Sequence, residues 1–180
     1  MPFSYRSFFS SLPPASVIEH MFVLGIAPGL TRTGYGVIAS SGSSDRAVAA
    51  GVIHTSPSEP LPIRLAELAR DLRLVIAEHR PATAGIEQLF INNNRQTAMA
   101  VARASGVALL VLGEAGVDVA EYTPSAVKMA LTGSGSADKE QMQRVIAMRL
   151  GLNAPPQPAD AADALAVALC HVQHGAVRAS

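Results

Sequence analysis

Three carboxylates stand out by their settings. Glu87 is the one charge in the short apolar stretch Ala82 to Gln88 (ATAGIEQ), and it falls near the end. Asp160 and Asp163 lie three residues apart at the start of the helical pattern PADAADALAVALCHVQHG, so they share a face of its first turn. Each has a plain alternative. A Glu can simply emerge into solvent at a strand end, and the helix dipole alone favours acids in a first turn. A fourth position matters by its place: Ala27 ends the apolar run that begins at Phe22, just before the turn at Pro28-Gly29. A strand end is where a sheet presents a side chain to a cleft, and an alanine can carry no chemistry there.

Carboxylates that converge at one sheet edge bind hard divalent cations. Mg²⁺ or Mn²⁺ is expected rather than zinc, because no His or Cys cluster accompanies them. Two such ions about 4 Å apart can activate water and stabilise the leaving oxygen in phosphodiester hydrolysis. A carboxylate between the ions would contribute most, and position 27 is well placed to be it.

The elements that would position these groups follow from the patterning. Phe22 to Ala27, Tyr35 to Ser40 and Ala47 to His54 read as strands of an antiparallel meander. In the linking stretch GIAPGLTRTGYG, Pro28 and Gly29 supply the turn, Pro by its fixed φ and Gly by tolerating φ > 0. Gly34 and Gly36 leave a strand with little bulk, which a backbone or a phosphodiester can approach. Ile63, Leu65, Leu68, Leu72, Val75 and Ile76 recur near the helical period, and the charges among them read as a solvated face. Ala82 to Gln88 and Gly116 to Tyr122 are two further strands. Between them a helix runs from about Arg95 to Gly113, capped by the Asn92-Asn93-Asn94 run. It is rich in small residues, with Gly106 allowing close approach, and suits either a subunit interface or a buried centre. Thr123-Pro124 starts a short helix carrying Lys128. Ser136 is expected to cap the next helix, with Asp138 in its first turn, and the last helix begins near Pro158. The result is an α/β fold: a mixed five-stranded sheet, three antiparallel and two parallel strands, flanked by helices.

Composition bounds the rest. The chain has 180 residues, long enough for one domain with a sizeable core, and 49% of them are apolar. Residues 1–20 read as an N-terminal extension mostly outside the core, 21–175 as a single domain and 176–180 as a C-terminal tail. No uninterrupted apolar run approaches the roughly 18 residues of a membrane span. The single cysteine, Cys170, forbids an internal disulfide, fits a reducing, cytoplasmic setting, and lies in an apolar helical pattern as filler. His171 and His174 lack a second ligand at convincing spacing and read as ordinary helix residues. Formal net charge is zero but unevenly spread: Phe90 to Gly113 holds Arg95 and Arg103 with no acid, and Tyr122 to Ala137 holds only Lys128.

Four segments, GIAPGLTRTGYGVI, GIEQLF, TPSAVKMALTGSGSADKEQ and PADAADALAVALCH, in this order and spacing, resemble the RuvC-type Holliday-junction resolvases. The likeness covers about Met21 to His174. It implies an RNase H-like fold, a homodimer, and Mg²⁺- or Mn²⁺-dependent paired nicking of four-way junction DNA with two ions per site. It also implies a branch-migration complex of the RuvA/RuvB type as partner, and no membrane. Glu87, Asp160 and Asp163 match three of the family's catalytic, metal-binding carboxylates. Phe90 matches an aromatic associated with the junction centre; its plain alternative is a core residue. Lys128 and Lys139 match basic positions facing DNA near the scissile phosphate, and Arg95 and Arg103 are candidate phosphate contacts.

One departure is serious: the family's G-I-D-P-G motif reads G-I-A-P-G here, with Gly25, Pro28, Gly29, Gly34, Tyr35 and Gly36 intact around it. The expectation is an Asp→Ala substitution at 27 that blocks cleavage and spares junction binding. A junction-binding scaffold that naturally lacks the Asp is the alternative. A nucleotide-binding protein of the actin and sugar-kinase type is a further one, although such proteins need a second phosphate loop.

Overall fold

A computed structural model describes residues 20–88 and 95–178, with the side chains of 95 and 176–178 left aside. Five strands form one sheet: β1 (Met21–Ala27), β2 (Arg32–Ser40), β3 (Asp45–His54), β4 (Thr83–Glu87) and β5 (Asp118–Tyr122). Five helices flank it: α1 (Leu61–His79), α2 (Arg95–Glu114), α3 (Pro124–Thr132), α4 (Lys139–Arg149) and α5 (Ala159–Arg178). The strand order is β3-β2-β1-β4-β5, with β1–β3 antiparallel and β4 and β5 parallel to β1. This is the mixed sheet expected from the sequence.

Alternation sends successive side chains of each strand to opposite faces. Leu24, Ile26, Tyr35, Val37, Ala84 and Ile86 meet α1 and α2 through Leu68, Leu72, Ala108 and Leu112 on one face. Val23 and Ile38 meet α3, α4 and α5 through Val127, Ile146, Leu165 and Leu169 on the other.

The second face is shaped by missing side chains. Register aligns Ala50, Gly36, Gly25, Gly85 and Ala120 in one row across all five strands. α5 lies on this row. A Cβ on Gly25 would overlap the Ala164 carbonyl oxygen, one on Gly36 would come 2.9 Å from Leu165, and one on Gly85 would come 3.0 Å from the Cβ of His171. The glycines therefore admit a helix backbone, not a phosphodiester.

Three local expectations change. Gly29 is not among the glycines with positive φ; its lack of a side chain is needed because a Cβ would overlap the Arg32 carbonyl oxygen. Asp138, not Ser136, caps α4: its carboxylate accepts from the Gln141 amide at 2.8 Å, while the Asp138 amide donates back to Gln141 Oε1 at 3.1 Å. α2 is long and apolar enough over Gln96–Glu114, by length and composition alone, to cross a membrane, with mean hydropathy 1.4. Counting uninterrupted apolar residues misses it because Arg103 and Ser105 break the run. One face of α2, Ala104, Ala108, Val111 and Leu112, is buried in the core.

Candidate active site

The row of strand residues next to the glycines holds position 27 and Glu87. It comprises Val52, Gly34 and Ala27 by register, then Glu87 one step beyond the Ile26–Ile86 pair, then Tyr122 opposite Glu87. Each lies two residues from the glycine row, so all five face α5. Position 27 thus stands between Glu87 on β4 and Gly34 on β2. Gly34 in turn seats the start of α5: a Cβ there would overlap the Asp160 carbonyl oxygen. The strand ends and the helix start converge as the sequence reading requires.

The turn after Ala27 is held on both sides. The Thr33 hydroxyl donates to the Gly29 carbonyl at 2.6 Å and accepts from the Gly29 amide at 3.3 Å. Arg64 on α1 donates to Thr31 and Thr55, and Thr55 donates to the Leu30 carbonyl. Arg64 therefore belongs to the scaffold of the site rather than to a solvated face.

Glu87 and Asp163 line a cleft of about 210 Å³ between α5, α3 and α4. Burial, then the Asp163 charge, pushes the Glu87 carboxyl up to about 7. Burial also raises Asp163; Lys139 opposes that shift and Asp160 adds to it. The two acids are held partly desolvated with both carboxyls shifted upward, which is the condition a cation relieves. Lys128 and Lys139 line the same cleft.

Asp160 is engaged elsewhere. Its carboxylate accepts from the Arg32 Nε at 2.8 Å. Among the described residues no three His, Cys, Asp or Glu side chains group closely enough to hold a metal ion as they stand. A methyl occupies position 27, and Arg32 holds the Asp160 carboxylate. Arg32 was not singled out in the sequence, although its place two residues before Gly34 puts it on the α5 face of β2. Arg103 is exposed on α2, which packs against the opposite face of the sheet, and it shares nothing with the cleft. Phe90 and the Asn92-Asn93-Asn94 run lie outside the described residues, as does the side chain of Arg95.

Two further groups are settled by their surroundings. Cys170 is buried, and burial pushes its thiol up to about 11, so it acts as filler. His171 is not an ordinary helix residue: its Nε2 lies 2.6 Å from the Thr83 hydroxyl and its Nδ1 2.8 Å from the Tyr122 hydroxyl.

Comparison with known proteins matches the same elements. The family model for crossover junction endodeoxyribonuclease RuvC matches residues 23–171. A crossover junction endodeoxyribonuclease RuvC from Salinispora arenicola is 50% identical over 159 residues, covering 88% of this chain and 91% of that protein. The structure of T. thermophilus RuvC in complex with Holliday junction substrate superposes with a TM-score of 0.84 at 38% identity, over 88% of this chain and 97% of that one. The yeast mitochondrial Holliday junction resolvase Ydc2, at 13% identity and a TM-score of 0.59 over 88% of this chain and 86% of that one, shares the fold. With its RNase H-like sheet, its glycine-seated α5 and acids gathered at one sheet edge, the chain belongs to the RuvC family of crossover junction endodeoxyribonucleases.

Proposed function

We propose that this chain is a Holliday-junction resolvase disabled at one ligand position: it binds four-way DNA junctions and cleaves them poorly or not at all because residue 27 is alanine. The observation that carries this reading is the row Gly34–Ala27–Glu87, which sets position 27 on the α5 face between the acid on β4 and the seat of Asp160.

Nucleases of this family depend on a divalent metal ion. The donor set fits one: Glu87 and Asp163 are oxygen donors whose carboxyls are raised chiefly by burial, and an aspartate at 27 would add a third beside them. A bound Mg²⁺ or Mn²⁺, in one or two copies, would activate the hydrolytic water and stabilise the leaving oxygen. The chain's own residues do the rest. Lys128 and Lys139 offer two ammonium groups where a phosphodiester can lie against Glu87 and Asp163. Lys139 is set there by the Asp138 cap at the head of α4. Phe90, three residues after Glu87, supplies stacking at the junction centre on the strength of the family likeness alone.

Two-fold cleavage needs two sites, and α2 offers the surface for a homodimer. Met99, Ala102, Gly106, Leu110 and Gly113 recur three and four residues apart and are exposed, with Met99 at 56% and Leu110 at 58%. Nothing would meet a Cβ on Gly106 or Gly113, so a second helix can approach there. A branch-migration complex of the RuvA/RuvB type is the partner the family likeness implies.

The test compares this chain with Ala27→Asp on a labelled four-way junction and on linear duplex, with Mg²⁺ or Mn²⁺. The expected result is junction binding by both, and paired nicking only by Ala27→Asp and only on the junction. Binding without cleavage by either would favour the scaffold reading and remove the metal role of Glu87, Asp160 and Asp163.

A further inference from the structure

Arg32 and Asp160 form an ion pair across 128 residues of chain, and neither lines the cleft that holds Glu87 and Asp163. Arg32 opens β2, two residues before Gly34, and Gly34 carries the backbone of Asp160. The pair is therefore built by the same contact that seats α5. Its two side chains remain 45% and 34% exposed. An ion pair that exposed shifts a competing equilibrium by about fivefold at most. It can hold Asp160 in one place without shutting the site to a stronger partner.

The three acids are thus handled in two ways. Glu87 and Asp163 line the cleft with no ion pair of their own among the described residues, whereas Asp160 has a guanidinium already on it. Arg32 holds one oxygen of the Asp160 carboxylate, Oδ2, so a divalent ion that drew Asp160 toward Glu87 and Asp163 would compete with the guanidinium for it. A guanidinium released in this way would offer five donors in a planar fork and no acceptor. The chemistry that suits such a group is a phosphate oxygen.

We propose that Arg32 is an exchange residue: it neutralises Asp160 when no metal is bound, and on metal binding it passes to a phosphate of the bound DNA strand. Arg32 is a positioning residue in this scheme, not a catalytic one. It makes metal and DNA cooperative, since each then strengthens the other by the same factor. The inference rests on the metal-nuclease reading above.

The experiment uses the full chain carrying Ala27→Asp, with and without Arg32→Gln and Asp160→Asn, and reads binding rather than cleavage. Mn²⁺ affinity is measured by titration calorimetry without DNA. Arg32→Gln is expected to tighten Mn²⁺ binding about three- to fivefold, and to have no effect once Asp160→Asn is present. Junction affinity is then measured against monovalent salt, with and without Ca²⁺. Without Ca²⁺, Arg32→Gln should change neither affinity nor salt slope. With Ca²⁺ it should weaken binding and make the slope of log K against log salt shallower by about 0.9, the signature of one lost phosphate contact. Equal weakening with and without Ca²⁺ would make Arg32 a constant DNA contact and overturn the exchange. So would a gain in Mn²⁺ affinity that survives Asp160→Asn, because that gain would come from the general field. If no variant binds Mn²⁺ at all, the metal-nuclease reading fails and the exchange falls with it.

Discussion

The two faces of the sheet are covered by different physics. On the α1 and α2 face, branched side chains interdigitate: Leu24 and Ile26 from β1 meet Leu68, Leu72 and Leu112, all fully buried. Neighbouring side chains relax only partly around a lost methyl there, so truncation costs stability while the backbones it separates can stay in place. On the α5 face, a row of glycines and alanines brings the backbone of the helix onto the backbone of the strands. Backbone against backbone has no rotamer to adjust. The face that holds Asp160, Asp163 and Glu87 is thus the one whose spacing is set most rigidly. The other face supplies most of the large apolar side chains.

The largest expected effect tests that contrast directly. Gly34→Ala places a methyl on the Asp160 carbonyl, so the start of α5 must move away from position 27. In a chain carrying Ala27→Asp, a displacement near 1 Å should lower junction cleavage by about 100-fold. Ile26→Val, one residue from position 27 but on the other face, should cost about 1 kcal/mol and leave cleavage within about twofold. Junction-nicking rates alongside thermal melts separate the two. Normal cleavage by Gly34→Ala would show that α5 is not positioned by its backbone contact.

Leu72→Ala comes next. Leu72 is fully buried on α1, and its truncation should destabilise the protein by about 2–5 kcal/mol in denaturant melts. The junction affinity of the molecules that remain folded should not change. A loss of affinity in step with stability would mean that the two faces are mechanically coupled, and the contrast between them would be broken.

Glu87→Gln sharpens the comparison from the side of the site. The folded-state pKa of Glu87 is raised to about 7 by burial and by Asp163. Between the ordinary carboxylate range and about pH 7 the folded protein therefore holds a proton that the unfolded chain has released. Stability falls as pH rises through that window and is level above it. Asp163, shifted in the same direction, adds to the fall. Without metal at pH 8, Glu87→Gln should stabilise the protein by about 1–3 kcal/mol, and near pH 4 by almost nothing. Added Mg²⁺ should raise the melting temperature of the parent more than that of the variant. Equal stability of both at pH 8 would show that Glu87 carries no strain there.

Much of this face could be read in the sequence. Glu87 at the end of a short apolar strand, and Asp160 and Asp163 at the head of a helix, were identified from local pattern alone, and the structure brings those three element ends together. The intact glycines around Ala27 marked a close approach. What approaches was hidden, because the row Gly36–Gly25–Gly85 exists only once register joins three strands. Arg32 and His171 escaped for the same reason: their partners lie 128 and 88 residues away, and no local period announces such a pair. Helix capping misled by two residues at Ser136 because Ser and Asp are both good caps. The structure favours Asp138, whose partner Gln141 completes a reciprocal box.

The far end of α5 is held differently from its start, and the smallest effect lies there. His171 falls two turns beyond Asp163, over Gly85, and ties the helix to β4 and β5 by side chains. Its tautomer follows from its neighbours. The Thr83 hydroxyl donates its proton to the Asp118 carbonyl at 3.1 Å, so it accepts from His171 Nε2–H. The Tyr122 hydroxyl then donates to Nδ1. Tyr122→Phe keeps the ring against His171 and His174 and removes only that donor. The expected cost is about 1 kcal/mol, the worth of one hydrogen bond in a half-buried setting. Thr83→Val should cost a similar amount, and the double variant less than the sum, because both act through one imidazole. Junction cleavage in the Ala27→Asp chain should stay within about twofold for either variant, because Gly34 and Gly25 still seat the start of the helix. A large loss of cleavage from Tyr122→Phe would instead show that the clasp at His171, and not the glycine row, sets Asp163 against Glu87.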